Sequence, residues 1–91
     1  MNARDVQEKT FAGTKWREGY DIEEVDAMLA RVAETLTAYE EGRAAPGQVL
    51  TGDEVVHQRF SQTKFRAGYD QDQVDDFLDR VAVALRELEG R

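Results

Sequence analysis

Two short segments of this chain set an aromatic ring between cationic side chains: Lys15-Trp16-Arg17 and Lys64-Phe65-Arg66. Such a triplet supports two readings. In the first, the ring enters the apolar layer of an anionic membrane surface while the cations meet lipid phosphates. In the second, the ring covers the base of a helical core. The energies permit the first reading. Burying one large aromatic is worth roughly 1.5–3 kcal/mol, and each nearby base adds about 1 kcal/mol at an anionic surface. Two such tips would give weak, salt-sensitive binding. Trp16 has Glu18 close by, whereas Phe65 is followed by Arg66 and Ala67, so the second triplet is the better candidate.

Other chemistry is hard to find. The chain has no cysteine, and His57 is its single histidine, with no motif around it. The adjacent acids Glu23-Glu24 and Asp75-Asp76 read as solvated helix faces rather than a metal site. No phosphate-binding loop, zinc spacing or nucleophile–base pair is present. The expectation is a protein that is not an enzyme and takes no cofactor and no metal. A net charge of −7 speaks against binding free nucleic acid, which needs a concentrated positive surface. No apolar run could span a bilayer, and Met1 is not followed by a signal-peptide core. The expected location is therefore cytoplasmic, peripheral on the inner face of the cell membrane if the tips insert.

The elements that must position these triplets come in two copies. Phe11 to Asp21 returns as Phe60 to Asp70 at a constant offset of 49, and the match runs on through Val25/Val74, Leu29/Leu78, Val32/Val81 and Leu36/Leu85. The reading is residues 1–41 as repeat one, 42–49 as linker and 50–91 as repeat two. Charge is polarised in each. Residues 9–19 carry +2 and 57–68 carry +3, while 21–41 carry −6 and 70–91 carry −4.

Each repeat reads as short helix, loop, long helix. Asp21 and Asp70 are N-caps, with Glu24 and Gln73 three residues on, and Tyr20 and Tyr69 sit at the staple position. Asn2 and Thr51 cap the short helices in the same way, with Asp5 and Glu54 at the third position. Gly19 and Gly68 are expected to supply backbone freedom for the sharp entry into the long helices. Phe11 and Phe60 are expected to tie the loop back onto the long helix. The spacing predicts helices over 3–9, 22–41, 52–58 and 71–89. Apolar steps of three and four mark coiled-coil seams at Val25, Leu29, Val32, Leu36 and at Val74, Leu78, Val81, Leu85. Each seam is too short to stand alone. Helix formers dominate and strand-like alternation is absent, so the expected fold is all-α: a four-helix, short coiled-coil-like bundle.

The order short capped helix, Phe, Thr-Lys-(Trp/Phe)-Arg-x-Gly-Tyr-Asp, acidic heptad helix resembles the N-terminal domain of the DivIVA family of bacterial division and cell-pole proteins. The pattern spans residues 1–39 and again 50–88. The resemblance implies a parallel dimer with a short coiled coil that binds the inner membrane surface. It also implies an inserting aromatic followed by a base, matching Trp16-Arg17 and Phe65-Arg66 here. In some members the spacing is Arg-Gly-Tyr, one residue shorter. Full-length members continue into long C-terminal coiled coils, and a chain ending at Arg91 is expected to add none.

A fused dimer would explain two copies in one chain, with seam pairing against seam inside a single polypeptide. Pairing between two chains, or with a homologous DivIVA-family partner, stays open on sequence alone. So does a second function class, a soluble helical adaptor that binds a protein partner without touching lipid.

Overall fold

The computed structural model describes residues 1–90; Arg91, the last residue of the second expected repeat, lies outside the described residues. The chain order is α1 (Ala3–Gln7), β1 (Gly13–Thr14), β2 (Gly19–Tyr20), α2 (Ile22–Glu40), α3 (Gly52–His57), β3 (Gln62–Thr63), β4 (Gly68–Asp70) and α4 (Gln71–Glu89). The internal repeat is therefore a repeat of structure: short helix, hairpin-like strand–loop–strand, long helix, twice.

The all-α expectation does not hold. The segments between the helices build a four-stranded antiparallel sheet in the order β1-β4-β2-β3. Its strands are two or three residues long, too short to show a period-two pattern. Three of the four also contain glycine, which strands usually avoid.

The sheet belongs to both repeats at once. Tyr20 stands opposite Tyr69, and Gly19 opposite Asp70, at the centre. Gly13 pairs with Tyr69 on one flank, and Gln62 with Tyr20 on the other. The two strands of one repeat never pair with each other. Every ladder joins one repeat to the other, and the loops 15–18 and 64–67 each carry the chain across a strand of the opposite repeat.

This interleaving needs close backbone contact. A Cβ on Gly19 would lie 2.6 Å from the Thr14 methyl and 2.8 Å from the Tyr69 carbonyl. A Cβ on Gly68 would collide with the Thr63 hydroxyl and sit 3.0 Å from the Tyr20 carbonyl. Both glycines keep φ outside the left-handed region, unlike Gly42 and Gly47. Their role is space, which corrects the expectation that they supply conformational freedom.

The two long helices leave this sheet and run side by side. Leu50 N–H donates to Thr35 Oγ1 of α2 at 3.0 Å, and two residues later Gly52 N–H donates to Glu89 of α4 at 2.8 Å. The chain entering α3 is thus bonded to both long helices. Each short helix folds back along its own long helix: Ala3 N–H meets Glu40 at 2.9 Å, as Gly52 N–H meets Glu89. Asn2 and Thr51 both complete reciprocal capping boxes.

One core results. All eight seam residues lie in it, with Val25, Val32, Leu36, Val74, Val81 and Leu85 at 1% exposure or less. Ala3, Val6, Leu50 and Val55 of the short-helix segments close it, and Met28 and Phe77 widen it. Intrachain pairing of the two repeats is thereby established.

Candidate functional site

The sheet end carries the aromatic–basic triplets, and its local chemistry is built almost wholly from contacts between repeats. Asp21 and Asp70 cap the long helices, each accepting from the backbone N–H three residues on at 3.0 Å. The reciprocal arms of those caps go elsewhere. Glu24 accepts from Ser61 N–H at 2.8 Å, while Ser61 C=O receives Asp21 N–H at 2.9 Å. On the other side Gln73 accepts from Ala12 N–H at 2.8 Å, and Ala12 C=O receives Asp70 N–H at 2.9 Å. One residue of each repeat is held at both of its backbone polar groups by the other.

The tyrosines extend this stitching. Tyr20 Oη donates to Asp75 at 2.7 Å, and Tyr69 Oη donates to Asp26 at 2.8 Å. Burial, then the bond to Asp75 and that carboxylate's charge, push the Tyr20 hydroxyl up to about 12. Tyr69 is raised by burial and by Asp26 in the same manner. The phenylalanines also cross over. Phe11 packs on Tyr69 and Phe77, with ring centroids 5.3 and 5.9 Å apart, and Phe60 packs on Tyr20 at 5.3 Å. These ring contacts tie each loop to the opposite repeat as well as to the common core. Glu24 and Asp75, read from sequence as solvated, prove to be partners in this network. His57 is exposed, with Nδ1 2.7 Å from the Asp53 carbonyl.

The six residues singled out for surface binding divide into three roles. Trp16 is 74% exposed and Phe65 66%, the two most exposed large apolar side chains among the described residues. Neither covers the core. Lys15 and Lys64 each hold Nζ 5.5 Å from the centroid of the neighbouring ring. Such exposed contacts are worth about 0.5–1 kcal/mol. Arg17 and Arg66 reach across the molecule. Arg17 is hydrogen-bonded to Asp70, the cap of the other repeat's long helix. Arg66 faces Asp21 at 3.8 Å. The Gln73 amide and the Arg17 guanidinium hold the Asp70 carboxyl below the ordinary aspartate range, against the opposing effect of burial.

Both tips therefore rise from one sheet, and both long acidic helices lead away from it. Of the acids around the sheet, Asp21 and Asp70 serve as caps, Glu24 is held by Ser61, and Asp26 and Asp75 by tyrosine hydroxyls, while Glu18 stands exposed on loop 15–18 itself. Among the described residues no group of three or more His, Cys, Asp or Glu could hold a metal ion. No helix of these residues is long and apolar enough to cross a membrane. No family model matches the chain, and no curated protein or solved structure matches it either.

Proposed function

We propose that this protein is a DivIVA-like module that attaches to an anionic membrane surface, acting in division or polar growth without enzymatic activity. The observation that carries the reading is the joint exposure of Trp16 and Phe65 on the loops of one shared sheet. Solvent-exposed tryptophan and phenylalanine gain roughly 1.5–3 kcal/mol each on burial. Neither ring is packed in or against the core. Lys15 and Lys64 lie beside the rings, where a lipid phosphate would meet them. The charge arrangement favours the same end, because the net-acidic helices lead away from the basic loops.

An adaptor that captures a partner helix on its seams would need those seams to be free. The seam residues are instead spent in the core, which speaks against capture through the seams and leaves an adaptor only its acidic helix faces.

The test is co-sedimentation of the purified protein with anionic liposomes, beside a Trp16→Ser/Phe65→Ser variant. The expected result is binding that salt weakens and that the variant loses with unchanged helical circular dichroism. Absence of binding by the parent protein at low salt would refute the reading.

A further inference from the structure

The two tips match in sequence but not in energy. Phe65 has φ +61°, the one non-glycine residue in the left-handed region among the described residues. Its counterpart Trp16 is not in that region. The ion pairs differ in the same sense. Arg17 is hydrogen-bonded to an Asp70 side chain that is only 10% exposed. Arg66 stands 3.8 Å from an Asp21 side chain that is 24% exposed, beyond hydrogen-bonding distance. The threonines beneath the loops differ as well. Thr14 Oγ1 reaches the Arg17 carbonyl at 3.5 Å, whereas the buried Thr63 Oγ1 has no hydrogen-bond partner among the described residues. Finally, Glu18 follows Arg17, whereas Ala67 follows Arg66.

Three features thus mark loop 64–67 as the less settled of two near-identical loops, and the absence of a counterpart to Glu18 makes it the more basic. Backbone strain and an unpaired buried hydroxyl are each costs that a change of loop conformation could recover, and a loose ion pair is little to give up in making it. Loop 15–18 holds none of the three.

We infer that the tips divide the work: Arg66 leaves Asp21 to bind the phosphate of an anionic lipid headgroup, while Arg17 stays on Asp70 as a structural brace. The inference rests on the membrane reading and adds to it which guanidinium meets phosphate. The exchange is inexpensive at loop two, because Asp21 keeps its capping bond to the Glu24 amide and gains water where Arg66 departs. At loop one the same exchange would strip a nearly buried carboxylate of its cation.

The experiment compares Arg66→Gln and Arg17→Gln in the whole chain. It uses vesicles of phosphatidylcholine with and without phosphatidylglycerol, alongside thermal melts. Arg66→Gln should lose about fivefold in affinity for the anionic vesicles, the share of one cation near the surface, with little change in melting temperature. Arg17→Gln should melt lower, and below its melting point should bind as the parent does. Equal losses of affinity from two folded variants would overturn the division of work. Unchanged binding by Arg66→Gln, together with lost binding by Phe65→Ser, would overturn the phosphate contact and leave the membrane reading standing. A parent that binds neither vesicle would overturn both. Inorganic phosphate serves as the control probe: if phosphate alone blocks vesicle binding at fixed ionic strength, the site takes a soluble anion and the lipid assignment falls.

Discussion

Phe65 combines a left-handed backbone with an exposed aromatic ring. A left-handed backbone at a non-glycine residue costs roughly 1–2 kcal/mol, and this side chain makes no core contact to offset it. Phe65→Gly should therefore raise stability by up to about 1 kcal/mol, after the added chain entropy of glycine is subtracted. It should also weaken vesicle binding. Trp16→Gly, at a residue outside the left-handed region, should weaken binding with no gain in stability. Urea melts of the two variants separate these outcomes.

Tyr20 supplies a pH prediction. Its hydroxyl is raised to about 12 in the folded protein against an ordinary value near 10. A folded-state value above the unfolded one gives stability that is complete below the ordinary value. That stability is lost as pH climbs through the raised one. Melting temperature should fall between about pH 10 and 12, and a Tyr20→Phe/Tyr69→Phe variant should show a shallower fall over that window. An equal slope in both proteins would mean that the tyrosines are not coupled to folding.

At this scale the sequence was readable for identity of role and silent on choice of partner. Asp21 and Asp70 cap as their spacing says. The partners of Tyr20, Phe11 and Glu24 were not readable, for a physical reason. In a repeat at constant offset, Asp26 and Asp75 are the same residue type at the same place in the pattern. A bond within one repeat and a bond across to the other look identical in sequence, and only the three-dimensional path decides.

Among the elements, the helices were legible and the strands were not. Helix starts carry side-chain caps and a period that extends over five turns, so expected and observed bounds lie within two residues of each other. The strands carry no such signal, since two residues cannot alternate. What marks three of the four is glycine opposite a partner backbone, which reads as a loop until the partner is known. Gly68→Ala tests that account. Its added methyl meets the Thr63 hydroxyl and the Tyr20 carbonyl, and overpacking of this kind costs about 1–3 kcal/mol. The urea midpoint should fall with an unchanged slope. A midpoint equal to that of the parent would show that the strands do not approach as closely as described.

For the whole molecule, the exchange of strands makes one folding unit of two repeats. Neither repeat can complete a ladder by itself, because every ladder has one strand from each. Pairing within one chain also makes folding independent of protein concentration. The melting temperature should stay constant over a wide dilution range, whereas pairing between chains would raise it with concentration. The pairing sets both aromatic tips on a common end, which is the geometry that the functional reading needs.

Trp16 allows that reading to be tested directly. It is the single tryptophan of the chain and stands 74% exposed at a tip, so its fluorescence reports the site with no label. The measurement to make is its emission spectrum, with iodide quenching, as anionic vesicles are added at low salt. Insertion predicts a shift of the emission to shorter wavelength and loss of quenching, both reversed by high salt. An unchanged spectrum with unchanged quenching at excess vesicles would contradict attachment through the tips.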